Sequence, residues 1–277
     1  DLKYFKVYPC PMSDFQSKWY GTAYRNDMVD KSIFTNARQA ALFVYPDGTY
    51  GSAGFDQTRY IETRKIGAGL AKAGLKRVNK PILQQKYVLG RELSEAIGSV
   101  EKDGTDRCLN NLRIYSSKYY EMIRECLAKR SKTFAYCQYV NGSGSILLAA
   151  ILEKFGYSRA TGTETTKSPR YALVTNQTTS TRRIQNIINR FNGEDNVKGE
   201  YISILIGSKV INEGFTLKDV ALEFILTPHW NYGDTSQAIA RGWRMGSHDY
   251  TRAMGQSPSL AVYQMVALTS ENIDSID

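Results

Sequence analysis

The sequence predicts an α/β protein, a largely parallel sheet flanked by helices on both faces, with an N-terminal extension and a basic insertion. Three observations predict it. Five short apolar runs of strand length fall at residues 133–137, 171–175, 202–206, 222–226 and 260–267. At least three of them are separated by helical patterns, notably the apolar body at 145–155 and the face formed by Ile184, Ile187, Ile188 and Phe191. The runs are close to continuously apolar rather than alternating, the pattern of strands covered on both sides.

The elements follow in order. Residues 4–8 alternate and end at Pro9 and Pro11, giving a short strand or extended entry. Ser13 or Asp14 then caps a helix through Gln16, Trp19 and Tyr20. In residues 38–55 an apolar run stops at Pro46-Asp47-Gly48, a turn signal that predicts a packed hairpin or an extended layer under a loop. From Arg59 to Arg91 basic residues meet few acids and glycine recurs at 67, 69, 74 and 90. This stretch reads as an insertion or mobile surface element rather than core, either a solvated linker or a phosphate-contacting patch. Leu112, Tyr115, Tyr119, Met122, Ile123, Cys126 and Leu127 share one face of an amphipathic helix. The strand at 133–137 follows, then the loop Gly142-Ser143-Gly144, a helix stopped by Gly156, the strand at 171–175 and the polar run 176–179.

At 277 residues the chain can bury a large core, as one domain or a domain with an insertion, and its 42% hydrophobic and 23% charged residues are ordinary for a soluble protein. No apolar run approaches the roughly 20 residues of a membrane helix, and the segment DLKYFKVYPC lacks a signal peptide's apolar core. A soluble, intracellular chain with no membrane partner is expected. Cys10, Cys108, Cys126 and Cys137 form no CxxC pair, and the only histidines are His229 and His248. Neither a metal site nor a disulfide framework is implied, and reduced thiols in a cytosolic setting are expected. The net charge of +9 favours a polyanionic partner, whether DNA, RNA or an acidic protein, unless it marks only a basic solvated surface.

On open α/β sheets, ligands collect outside the carboxyl ends of the strands. Gln138 follows the first core strand, Thr175 and Gln177 the second, Ser208 and Lys209 the third. Amides, hydroxyls and backbone N–H groups there suit sugar-phosphate contacts; each alone is equally a helix cap. Gly214 marks a turn or a close approach of backbone to ligand. Gln237, Arg241 and Arg244, at i, i+4 and i+7, share a helix face. That face is either solvated or aimed at a phosphoryl group, where an arginine accelerates transfer on the order of a thousandfold. Such an arginine works with a GxxxxGK[ST] cradle and an acidic magnesium ligand, and neither motif is present in these residues. The chemistry must be completed elsewhere.

Three stretches resemble superfamily 2 motifs: KTFAYCQYVNGSG (132–144) the fourth, SKVINEGFTL (208–217) the fifth, and QAIARGWRMGSH (237–248) the sixth, QxxGRxxRxGQ or QxxGRxxRxxSH. Together they resemble the second RecA-like lobe of superfamily 2 helicases and translocases. MSDFQSKWY (12–20), RQAALFVYPDGTYG (38–51), YSSKY (115–119), FNGEDNVKG (191–199) and PHWN (228–231) are similar to the Swi/Snf-type branch of nucleocytoplasmic large DNA viruses. Its poxvirus members include the nucleoside triphosphate phosphohydrolase and the early transcription factor small subunit. Residues 56–110 stay unmatched, as an insertion or mobile element.

The resemblance implies a helicase C-terminal domain over 1–277 with its RecA-like core at about 131–277. It implies the motor lobe of an ATP-dependent DNA helicase or translocase, viral and acting in transcription, in the cytoplasm, a viral factory or the virion. ATP with Mg would be held mainly by a first lobe, so this lobe alone would be inactive. Arg241 and Arg244 would face the γ-phosphate, with Arg244 as the finger. Gln237 and Gly214 would couple nucleotide to nucleic acid. Gln138, Thr175, Gln177, Ser208 and Lys209 would touch the DNA or RNA backbone. RNA polymerase or a transcription factor subunit is a further implied partner. The chain departs from the pattern in two places: Ala240 stands where the sixth motif usually has glycine, and the fifth-motif loop is shorter than in eukaryotic remodellers. The alternative is a non-catalytic module with a degenerate helicase-like fold that binds nucleic acid or polymerase.

Overall fold

The computed structural model describes residues 5–30, 33–55, 60–66, 84–175, 177, 179–208, 215–228, 236, 239, 242 and 246–269. The chain begins with β1 (Phe5–Pro11), α1 (Asp14–Val29), α2 (Thr35–Leu42) and α3 (Ser52–Phe55). A hairpin of β2 (Ile61–Ile66) and β3 (Gln84–Leu89) follows, then α4 (Arg91–Ile97), α5 (Val100–Asp103), α6 (Thr105–Tyr115) and α7 (Ser117–Lys129). The alternating part comprises β4 (Thr133–Tyr136), α8 (Ser145–Lys154), β5 (Ser158–Arg159), β6 (Arg170–Val174) and α9 (Thr181–Phe191). It ends with β7 (Ile204–Gly207), β8 (Leu222–Ile225), the short helix Asp249–Ala253 and β9 (Ala261–Leu268).

Seven strands form one sheet in the order β1-β9-β8-β4-β7-β6-β5, and every pairing is parallel. The five predicted strands are its centre. β1 and the two-residue β5 extend it at either edge, and β1 pairs with β9 along its whole length, from Phe5↔Val262 to Pro11↔Leu268. Because side chains alternate across a strand, each central strand feeds two cores. Ala135, Leu173, Ile204, Ile206, Leu222 and Phe224 pack with Leu112, Met122, Ile123, Leu148 and Leu152 from α6, α7 and α8. Phe134, Tyr136, Ala172, Val174, Leu205 and Ile225 pack with Ile184, Ile187, Ile188 and Phe191 of α9. Both faces of the sheet are covered, as the sequence predicts. No helix among the described residues is long and apolar enough to cross a membrane.

Three local expectations change. The amphipathic stretch at 112–127 is two helices, broken at Ser116, whose φ of −154° is extended. The Ser116 hydroxyl accepts from Tyr119 N at 3.0 Å and donates to the Leu42 carbonyl, so a buried cap outcompetes helix continuation. Residues 38–42 are helical rather than extended. The reason is distant in sequence: the buried Asp27 carboxylate accepts from Ala37 N at 2.7 Å and Asn36 N at 3.3 Å, serving orphan donors of the first turn of α2. The turn at Pro46-Asp47-Gly48 does form, with Gly48 N donating to Tyr45 O at 2.8 Å and a single bridge between Val44 and Tyr50. Finally, the ends of the basic stretch are not loose surface. Tyr60 and Ile61 lie in the main core, and Tyr87 and Leu89 pack against it. The charges conceal their spacing. Residues 67–83 of that stretch lie outside the described residues.

Candidate functional site

The central strands end level. Tyr136 is in register with both Gly207 and Ile225, and Val174 with Gly207. Pairing continues one step further through Cys137 N to Gly207 O at 3.0 Å and Leu226 N to Tyr136 O at 3.0 Å. This carboxyl edge therefore presents the residues that follow each strand side by side. Gln138 N donates to Thr227 Oγ1 at 2.7 Å, joining the exits of β4 and β8. Beneath them the buried Lys118 ammonium donates to Leu226 O at 2.7 Å, and burial lowers its pKa to about 8.

Two of the predicted amides are oriented by partners. Arg38 Nη2 donates to Gln138 Oε1 at 2.7 Å, and Asn141 Nδ2 donates to Gln177 Oε1 at 2.7 Å. A guanidinium can only donate, so the oxygen of Gln138 faces Arg38 and its NH2 is left to donate elsewhere. Gln177 is exposed and Gln138 half-buried, whereas Thr175 and Ser208 are buried at the strand exits. Thr175 O accepts from Thr179 N at 3.2 Å, and Thr179 Oγ1 donates to Leu173 O at 2.8 Å, closing the turn after β6.

The loop 138–144 carries Gln138 and Asn141, and the N-terminal extension holds it. Gln39 Oε1 accepts from Ser143 N at 3.0 Å, Ser143 Oγ donates to Phe43 O at 2.8 Å and accepts from Gly51 N at 3.0 Å. Tyr45 OH donates to Gly142 O at 2.9 Å. From below, Tyr119 OH donates to Gly144 O at 3.1 Å. Only glycine fits at 144, where a Cβ would lie 2.2 Å from Tyr139 O.

Lys209, Gly214, Gln237, Arg241 and Arg244 lie outside the described residues, as does Ala240. Their flanks are fixed. Ile239 is buried in the α9-side core with Leu217, Val220 and Leu260. Gly242 lies against Glu223 of β8; a Cβ there would sit 3.0 Å from Glu223 Oε2. Ser247 Oγ donates to Gly242 O at 3.2 Å and lies 2.9 Å from His248 Nδ1, and His248 Nε2 donates to Val220 O at 3.1 Å. Glu223 is fully buried and has no hydrogen-bond partner among the described residues, and burial raises its pKa well above the ordinary value. No group of acids, histidines or cysteines among the described residues could hold a metal ion.

Sequence reasoning misses Arg38, Asn141, Thr227 and Lys118. Arg38 carries one faint signal, being the sole charge in the helix TNARQAAL. The others become visible only when the fold brings distant segments together.

Residues 118–246, spanning the sheet centre and its carboxyl edge, match the model of the helicase conserved C-terminal domain. The chain is 40% identical over 279 residues to Putative helicase 009L of Frog virus 3 (isolate Goorha), an alignment covering 99% of this chain and 25% of that protein. It is 37% identical over 283 residues to Putative helicase 087L of Invertebrate iridescent virus 3, covering 100% and 26%. Nucleoside triphosphatase I of Choristoneura biennis entomopoxvirus is 27% identical over 86% of this chain and 35% of its own length. The chain spans about a quarter of the length of the first two relatives. With the family match lying on the sheet and its carboxyl edge, residues 118–246 carry a helicase conserved C-terminal domain, and the chain resembles the C-terminal, second RecA-like lobe of superfamily 2 helicases such as those of large DNA viruses.

Proposed function

We propose that this lobe is half of an ATP-dependent DNA helicase or translocase motor acting in viral transcription. The observation that carries the reading is the convergence of donors on one sheet edge: Gln138, Gln177 and the strand exits at Thr175 and Ser208 follow three adjacent parallel strands. Arg38 and Asn141 occupy the oxygens of the two amides, leaving N–H groups for acceptors. Phosphate oxygens are acceptors that carry no sequence, which suits a strand tracked without readout.

In this reading Lys209 adds a charge to that track, and Arg241 and Arg244 face the γ-phosphate of ATP bound with Mg mainly by the first lobe. Bound ATP supplies the anhydride that is hydrolysed in the cleft between the lobes, and closure of the lobes around it shifts this one along the phosphate backbone. Gly214 and Gln237 couple the two ligands. The magnesium ligands belong to the first lobe. Thr175 and Ser208, at the exits of the neighbouring strands, contact phosphates of the same tracked strand. RNA polymerase or a transcription factor subunit is the docking partner, in a viral factory or the virion.

The test is the salt dependence of DNA binding by protein that includes the first lobe. Lys209→Ala should weaken binding and reduce the slope of log Kobs against log salt by about 1, whereas Gln138→Ala should weaken binding with the slope unchanged. Salt-insensitive binding, with both variants like wild type, would refute phosphate tracking and favour a non-catalytic docking module.

A further inference from the structure

A second feature adjoins the carboxyl edge. Tyr20 and Tyr24 of α1, Phe34 before α2, and Ala37, Arg38 and Ala41 of α2 line a cavity of about 360 Å³. Its walls are aromatic rings. Tyr24 and Phe34 stack with centroids 5.2 Å apart and planes at 21°, and Tyr20 lies 6.5 Å from Tyr24 at 31°. Tyr24 remains 43% exposed. Phe34 adopts a φ of +50°, a left-handed conformation that costs a bulky residue energy, and it thereby carries its ring to Tyr24. Met28, Val29 and Ile33 are exposed near the end of α1 and before Phe34.

Among the described residues, the only charge lining the groove is Arg38. The same guanidinium bonds Gln138 and lies 5.4 Å from the centroid of the Tyr139 ring. Groove and phosphate-facing edge thus share one side chain as their common wall. A slot of flat rings with a single cation, opening onto amide donors, matches a nucleotide: a planar base for the rings and a phosphate for the guanidinium and amides. An apolar peptide would match the rings but leave the arginine unanswered.

We propose that this groove takes an unpaired nucleobase of the strand tracked along the carboxyl edge, so that the nucleic acid engaged has single-stranded character. The inference rests on the phosphate-tracking reading. Stacking on Tyr24 and Phe34 adds affinity without reading sequence, because every base has a face.

The experiment is fluorescence anisotropy on protein that includes the first lobe, with an oligothymidylate, an abasic oligonucleotide of the same length and a blunt duplex. Wild type should bind the oligothymidylate roughly tenfold tighter than the abasic strand, in line with stacking of one base. Tyr24→Ala should erase that difference while leaving duplex binding unchanged, and Tyr24→Phe should retain it. Equal binding of the two single strands by wild type overturns the inference while leaving phosphate tracking intact, and that comparison does not depend on any variant folding. Failure to bind either strand or the duplex would overturn phosphate tracking as well. A Tyr24→Ala variant that keeps the base preference but melts earlier would overturn it in favour of a groove covered by protein.

Discussion

Glu223 lies at the centre of the sheet, between Phe134 of β4 and Val262 of β9, with both carboxylate oxygens buried and without a hydrogen-bond partner among the described residues. Burial is the cause of its raised pKa. At acid pH the group is protonated in the folded and unfolded chain alike, and no stability depends on it. Above its ordinary value of 4.5, the unfolded chain releases the proton while the fold retains it. Folding then binds more protons than unfolding, so stability falls as pH rises, by about 1.4 kcal/mol per unit, until the carboxyl ionises inside the fold. Glu223→Gln keeps the shape and has no proton to release. Between about pH 5 and about pH 7, wild type should therefore lose stability relative to Glu223→Gln, at up to about 1.4 kcal/mol per pH unit. Urea denaturation at a series of pH values measures it. Parallel curves for the two proteins would refute the buried, protonated carboxyl.

Lys132 gives the opposite sign. Its buried ammonium has no hydrogen-bond partner among the described residues and lies 4.4 Å from the Phe191 ring centroid, and burial lowers its pKa to about 7. Its contribution is full above the unfolded value and is lost as pH falls toward about 7. Wild type should therefore gain stability between about pH 7 and about pH 10, by up to about 1.4 kcal/mol per unit relative to Lys132→Met. A variant with the same rise would contradict it. Gly144→Ala should cost about 3 kcal/mol, because its Cβ would meet backbone at Tyr139 rather than a side chain able to move. The same urea titrations decide the point; a loss below about 0.5 kcal/mol would show that the loop accommodates the methyl.

The sheet's centre is legible because its strands are covered on both faces and so read as unbroken apolar runs. β5 is not: Ser158–Arg159 has no apolar signal and exists only by pairing with Arg170 and Tyr171. α2 is misread because its cap is Asp27, in the preceding helix. The break between α6 and α7 is hidden because Ser116 sits inside a correct helical period, and its partner is Leu42. The site divides the same way. Gln138 and Gln177 are legible from position alone, as the polar residues leaving parallel strands. What orients them is not: Arg38 and Gln138 are 100 residues apart, and a lone arginine in a short helix has no pattern to betray it. Position names the donor, and only the fold shows which of its atoms is free.

The central claim is that the lobe completes an ATP site with its arginines and separately holds nucleic acid at the carboxyl edge. Steady-state ATPase of Arg244→Ala, in protein that includes the first lobe, tests it most directly, with DNA binding measured on the same preparation. The expected result is a loss of on the order of a thousandfold in kcat with DNA affinity unchanged, and no hydrolysis by the isolated lobe. Near-normal turnover by Arg244→Ala would contradict it.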